Sequence, residues 1–309
     1  MNDHTCNYGI VTGVGKTVVN QPAIGPGATV NITSSATRGR TAARERDERW
    51  DVGVITVLSV ETHAVQHALE LTPKKAGGLH FHVGKLTTDD RSAKVVATRT
   101  LSQGQRSTMA AFGHLRRHYD PKVVVLVGIG GGIHADVLLG DVVVATRVVY
   151  YDLRKEKITG TQHRGEEKEA PVEIGHAVNC FFTDNGEPAE FREEGPGNAV
   201  RSFRVRTGPI GSGDAVIADR DSEILKYLAQ FNDRILAVDM ESGGLSQACH
   251  EQSVMSGRLQ GWAVVRGISD DASHRKNDDY HRIAAWHAAV VLRRLIPYLL
   301  VGVPDPATP

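Results

Sequence analysis

The chain is short of several things, and each shortage excludes a class of protein. Cysteine is scarce: Cys6, Cys180 and Cys249 are the only three in 309 residues. Three widely spaced thiols make neither a disulfide framework nor a zinc site, and a reducing cytoplasm is the expected compartment. Long apolar runs are missing. No stretch reaches the roughly 18–20 residues that a membrane helix needs, so no membrane partner is expected. The opening MNDHTCNYGI has no positive region followed by an apolar one and reads without a secretory leader. An excess of either charge is missing too, with 36 Lys+Arg against 36 Asp+Glu. That balance argues against nucleic acid held by a broad field, while a local basic patch stays open. The 14 histidines include His80 and His82 on one strand face, and His63 and His67 four apart on a helix. Neither pair sits beside a carboxylate ligand set, so no metal and no cofactor are expected.

What is present points to one large α/β domain with an appendage. Residues 8–37 are rich in Gly, Thr, Val, Asn and Ser, and cannot bury a core of their own. Residues 38–49 (RGRTAARERDER) are highly charged and read as a linker or solvated helix. Gly13-Val14-Gly15-Lys16-Thr17 imitates the end of a phosphate-cradling loop, but the Gly that the full motif requires is replaced by Ile10. The expected organisation is an appendage over 1–49, a catalytic domain over 50–303 and a tail over 304–309.

From Trp50 the pattern alternates. Apolar runs at 51–58, 94–98, 123–127, 142–149, 203–207, 235–238 and 262–268 read as strands. Helical spacing appears at 62–71, 106–118, 172–182, 223–231, 242–252 and 281–300, and residues 152–202 are otherwise expected to be loops. Strands alternating with helices predict an α/β fold of three layers, α/β/α, around a mostly parallel sheet.

Functional groups in such a sheet gather where strands end. Glu61 follows the first strand, and a glycine cluster at 128–132 follows the third. Asp239-Met240-Glu241 follows the strand at 235–238, and Arg266 to Asp271 closes the last. Singly, such a Glu is most often a helix-start charge favoured by the dipole, and such glycines a tight turn. Together they set carboxylates and an Arg along one edge.

Five motifs then carry a resemblance: DVGVITVLSVET, VVVLVGIGGGIHADVLLGDVVVATRV, GPIGSGDAVIAD, LAVDMES and VVRGISDDA. In this order, over about residues 51–300, they resemble the nucleoside phosphorylase superfamily, and most closely its methylthioadenosine/S-adenosylhomocysteine nucleosidase branch. The resemblance implies that Glu61 handles an attacking water and that Glu241 binds ribose hydroxyls and helps hold the water. It implies that Asp270 protonates purine N7 and that Arg266 lies near the water and the glutamates. Met240 would pack under the ribose, and Val216 and Ile217 would present backbone to the adenine. Ile129, Gly130 and Ser269 join the substrate-binding set, with the glycines at 128–132 leaving room for ribose.

The chemistry explains these residue types. Breaking an N-glycosidic bond leaves negative charge on the purine, which protonation at N7 removes. A carboxylic acid does this best with a raised pKa, here through burial or the neighbouring Asp271. Carboxylate then stabilises the oxocarbenium-like sugar, and water adds to it. Family phosphorylases bind phosphate with an Arg and a Ser at positions that here are Leu126 and Ile129. Water is therefore the expected nucleophile, with phosphorolysis as the alternative and a purine-sensing module that does no chemistry as another. Arg154, Lys155, Lys157 and Arg164, with His163, form a basic cluster after the strand at 142–149. Either they clamp phosphates of an AMP- or ATP-like substrate, or they are a solvated loop interleaved with Glu156, Glu166 and Glu167. Residues 103–107 (QGQRS) open a helix, where backbone amides either meet an anion or form an ordinary cap. Some bacterial defence effectors resemble the chain in joining a phosphorylase-like domain to a Gly/Thr-rich segment, and family members are commonly homodimers or larger homo-oligomers. The expected partner is thus a small purine nucleoside or nucleotide.

Overall fold

The structure is a computed structural model and describes residues 49–87, 92–195, 197, 199–272 and 280–300. The appendage expected over 1–49, with Cys6 and the Gly13–Thr17 imitation, lies outside the described residues up to position 48, as does the tail at 304–309.

The parallel centre follows from the longest β-branched runs. β1 (Val52–Thr56) pairs parallel with β4 (Ser92–Arg99) on one side and with β5 (Val123–Gly132) on the other; β5 in turn pairs parallel with β15 (Gly261–Asp270). All of β1 and nearly all of β5 and β15 are buried, as expected for strands covered on both faces. Antiparallel strands flank this centre. β2 (Thr72–Ala76) and β3 (Leu79–Thr87) extend it beyond β4 as a hairpin that hydrophobic patterning does not announce.

Among the described residues six helices complete the layers: α1 (Ser59–Ala68), α2 (Gln105–His118), α3 (Val172–Asn185), α4 (Glu223–Phe231), α5 (Ser242–Ser256) and α6 (His281–Leu299). α1 and α3 pack on α6, which lies on β5 and β15; α2 packs on α5. The contact of α6 is backbone-close. A Cβ on Gly267 of β15 would stand 2.0 Å from the Ala284 carbonyl oxygen, so only glycine fits. The buried face of α6 carries Leu292, Leu295 and Ile296, each stabilising the fold by about 1.5–3 kcal/mol.

Three expectations change. The run at 142–149 is two strands, β6 (Val142–Ala145) and β7 (Arg147–Tyr150). β6 pairs with β15 and with β12 (Val200–Thr207), whereas β7 pairs with β13 (Ile210–Ser212) and β10 (Glu166–Glu169), so the chain bends at Thr146 to change partners. Residues 152–202 are not mainly loop. Besides α3 and β10 they form the hairpin β8 (Arg154–Lys157) and β9 (Gly160–His163), and β11 (Ala189–Glu194), which pairs with β12. The glycines at 128–132 are not a loop either but the end of β5. No helix among the described residues is long and apolar enough to cross a membrane.

Candidate active site

The site forms where β5, β15 and the short strand β14 (Ala237–Asp239) run out beside the starts of α1 and α5. Glu61 stands at the third position of α1. Its Oε2 accepts the backbone N–H groups of Val57 and Leu58 at 2.7 and 2.8 Å, and its Oε1 accepts that of Ile129 at 2.9 Å. The helix start explains the first two bonds, since the N–H of the capping residue Leu58 has no partner within the helix. The third ties α1 to β5. Glu61 is therefore a fixed, buried carboxylate.

Glu241 sits on the turn from β14 into α5. Its Oε1 accepts the Gly104 N–H at 3.0 Å, and its Oε2 accepts Arg266 Nη2 at 2.9 Å. Gly104 holds φ at +100°, a conformation that suits glycine, and precedes α2. The Gln105 N–H reaches Asp214 at 3.4 Å. The amides at the start of α2 thus do meet anions, but these are the protein's own carboxylates. Burial pushes the Glu241 carboxyl up from its ordinary value, with Arg266 pulling the other way.

Arg266 is 1% exposed. Burial works against its charge, yet Asp239, Glu241 and Glu61 outweigh that and hold the guanidinium above its usual range. Asp239 is its main partner, accepting Nε at 2.9 Å and Nη2 at 2.8 Å. The other Asp239 oxygen accepts the Ser212 and Ser242 hydroxyls at 2.7 and 2.8 Å and the N–H groups of Glu241 and Ser242 at 3.2 and 3.1 Å. One buried Asp thereby fixes the Arg, the turn carrying Glu241 and the start of α5.

Gly128 is where these parts converge. A Cβ there would lie 2.4 Å from Glu61 Oε1 and 2.5 Å from Arg266 Nη1. At Gly130 it would meet the Val238 carbonyl at 2.9 Å, and at Gly131 the Asp270 Oδ1 at 3.1 Å. The glycines of β5 make room for protein atoms at these three positions, and Gly130 and Gly131 also line the cleft.

Asp270 ends β15. Its Oδ2 accepts the Ser269 hydroxyl at 3.0 Å, and its Oδ1 accepts the Ala272 N–H at 3.0 Å. The Asp271 carboxylate pairs with Arg220 at 2.9 Å, so part of its charge is matched away from Asp270.

A cleft of about 190 Å³ gathers the predicted set. Glu61, Glu241 and Asp270 line it, as do Met240, Val216, Ile217, Ile129, Gly130 and Ser269. Arg266 lies buried among the carboxylates without lining the cleft. The basic cluster is elsewhere. Arg154, Lys155 and Lys157 occupy the exposed β8–β9 hairpin, Arg154 pairing with Glu156 at 2.9 Å, and neither they nor Arg164 line this cleft. His163 anchors the hairpin by stacking on Tyr227, with ring centroids 4.8 Å apart.

Four site residues carry no individual role in the sequence reading, although it names Asp239 and includes Gln103 in the helix opening at 103–107. Asp239 lies inside the VDMES motif, but nothing in a linear sequence marks which of two nearby acids faces an Arg. Gln103, Tyr151 and His281 line the cleft from three separate elements. Tyr151 follows β7 at a strand end, which is the signal that marks it. Its hydroxyl is buried without a hydrogen-bond partner, and burial pushes the phenol well up. Among the described residues no group of three His, Cys, Asp or Glu stands close enough to hold a metal ion.

Comparison with known proteins adds to this geometry. A family model for the phosphorylase superfamily matches residues 51–297. The ATP nucleosidase Cap17 of Escherichia coli strain KTE188 is 23% identical over 291 residues, covering 88% of this chain, which spans only 56% of that protein's length. The 5′-methylthioadenosine/S-adenosylhomocysteine nucleosidase of Shewanella sp. strain W3-18-1 is 25% identical over 255 residues, 80% of this chain and 99% of that protein. Among solved structures, the nucleosidase of the same kind from Colwellia psychrerythraea 34H, crystallised with adenine, superposes with a TM-score of 0.61 at 20% identity, covering 82% of this chain and 96% of the other. At that identity the likeness shows the three-layer fold.

Proposed function

The chain belongs to the phosphorylase superfamily, and from that membership we propose that it hydrolyses the N-glycosidic bond of a purine nucleoside or nucleotide, adenine being the favoured base. The observation that carries this reading is the charge of the cleft. Four carboxylates line it, Glu61, Asp239, Glu241 and Asp270, and among the described residues no Lys or Arg does. A phosphate nucleophile would enter against that charge with no free Lys or Arg among the described residues to meet it, since Arg266 is already matched by Asp239 and Glu241. Water enters without that penalty. Leu126, at one family phosphate position, is fully buried in the core and offers no donor.

The geometry gives each residue a task. A carboxylate has about four acceptor sites. Glu61 spends three on backbone amides and keeps one on Oε1, enough to take a proton from a single oriented water. Glu241 spends two and keeps two for the ribose hydroxyls. Asp270, at the far end of β15, gives its proton to purine N7 as the C1′–N9 bond breaks. The electron pair of that bond then leaves on a neutral base, and water adds to C1′ of the ribose. Met240 packs beneath the sugar, while Val216 and Ile217 flank the base. Relatives named as nucleosidases support hydrolysis, and adenine in the Colwellia complex supports the base. Residues 50–303 constitute the catalytic domain in this reading.

Asp270→Asn is the test. Proton donation of this kind contributes about 10²–10⁴-fold in rate, so released adenine should fall by that factor from adenosine, methylthioadenosine and ATP alike, while binding persists by calorimetry. Undiminished turnover in the purified variant would refute the mechanism. Product formed only when inorganic phosphate is added would refute hydrolysis.

A further inference from the structure

Beside the cleft lies a larger groove of about 850 Å³ with the opposite character. The two share Gln103. Ser59 and Thr62 line the groove while their chain neighbours Leu58 and Glu61 line the cleft, and Asp214 and Ala215 divide in the same way. Around the groove stand Arg99, Arg106, His63, His80, His82 and His114. Its one carboxylate among the described residues is Asp214, which already accepts the Gln105 N–H.

Several cations elsewhere on this surface are matched. Arg154 pairs with Glu156, Arg204 with Asp141 and Arg220 with Asp271. In the groove the donors outnumber the acceptors. Arg106 makes no side-chain hydrogen bond or ion pair among the described residues. Arg99 uses only its Nε, on the Val57 carbonyl at 2.8 Å. His82 keeps a buried Nδ1 with no partner. Thr100, 5% exposed, also lines the groove, and its buried Oγ1 has no partner either. Buried polar atoms are normally satisfied, so unmatched donors converging on one groove are the complement of an external anion. Burial first, with His80 and His63 adding, holds His82 below its ordinary value, so His82 offers the groove a ring nitrogen rather than a fixed charge. Size agrees. The cleft's 190 Å³ is below the roughly 300–1,000 Å³ of pockets that enclose a whole small-molecule ligand, so a nucleotide needs a second compartment.

We infer that the groove is a polyphosphate subsite, taking the phosphate chain of a purine nucleotide whose base and ribose occupy the cleft. Arg99 and Arg106 supply the fixed charge, and the histidines line the groove as polar ring nitrogens. The inference rests on the cleft reading above, and it assigns the phosphates to the groove in preference to the β8–β9 hairpin, whose cations line neither space.

The test uses the full chain with inorganic tripolyphosphate by calorimetry, and ATP against adenosine by base release. Arg106→Glu is the informative variant, because Arg106 is exposed and its loss breaks no described contact. A bond to a charged group is worth about tenfold or more in affinity. Tripolyphosphate binding should fall by at least that factor in Arg106→Glu, and the ratio of kcat/KM for ATP to that for adenosine should fall in parallel. His80→Ala should lower both less. Tripolyphosphate binding that is absent from the parent or unchanged in Arg106→Glu overturns the subsite. Weakened tripolyphosphate binding with an unchanged ATP-to-adenosine ratio overturns the link to the cleft and leaves a site for free anions. A ratio that falls only in Lys155→Ala and Lys157→Ala moves the phosphates to the hairpin and also overturns it. If no base is released from any compound, the cleft reading fails, and the tripolyphosphate measurement still decides the groove.

Discussion

Asp239→Asn is the sharpest probe of the architecture, because it changes one atom in a fully buried network. The side chains of Arg266 and Asp239 are 1% and 0% exposed, so water cannot compensate. One Asp239 oxygen takes two contacts from Arg266; the other takes two hydroxyls and two backbone amides. Asparagine has the same volume but a single acceptor oxygen. Turned one way, its amide points hydrogens at Arg266; turned the other, at four donors. Either orientation breaks one half of the network and leaves Glu241 as the one carboxylate paired with a buried guanidinium. Removing one member of a buried ion pair costs about 3–5 kcal/mol, out of the about 5–15 kcal/mol typical of folded domains. At about 2–4 °C per kcal/mol for domains near this size, the melting temperature should drop by about 6–20 °C. Base release should fall as well, since Arg266 Nη1 stands against Glu61 across Gly128. Thermal melting and adenine release on the same sample are the assays. A variant that melts within about 2 °C of the parent and keeps its turnover refutes the reasoning.

Two further outcomes follow from the same geometry. Gly128→Ala places a methyl 2.4 Å from a carboxylate oxygen that three amides hold in place, so Glu61 must give up bonds to accommodate it. Overpacking of this kind costs about 1–3 kcal/mol, and adenine release should fall more than the melting temperature suggests; parental kinetics would contradict it. Glu241 gives a pH signature. Burial raises its carboxyl above the ordinary 4.5, so the folded chain favours the protonated form there. That contribution is fully present below pH 4.5 and is lost as pH rises through the folded value. Glu241→Gln, neutral at every pH, should flatten the fall in melting temperature across that window, and an unaltered slope would refute the assignment.

The amino-acid order was enough for the alternating strands and helices, because β-branched runs such as 123–127 can be buried only in a sheet covered on both faces. It was enough, too, for the acids: each follows a strand, and strand ends meet at one edge. Glu223–Phe231 shows as a helix in both readings because its apolar spacing is local. The β2 strand of the β2–β3 hairpin was illegible, since its exposed TPKKA sequence lacks an alternating apolar face. The break at Thr146 was illegible because it depends on two strands far away in the chain. The balance of charge was equally opaque. A net charge of zero conceals an acidic cleft adjoining a basic groove, separated by little more than Gln103. Sequence determined which residue types are available and that the strand-end acids share an edge. Only the tertiary structure decided that Asp239 holds Arg266, that the β5 glycines admit side chains, and that the groove lined by Arg99 and Arg106 adjoins the carboxylate cleft at Gln103. Pairing of charges is set by distances through space, and those are fixed by packing between segments more than two hundred residues apart, as Arg266 and Glu61 are.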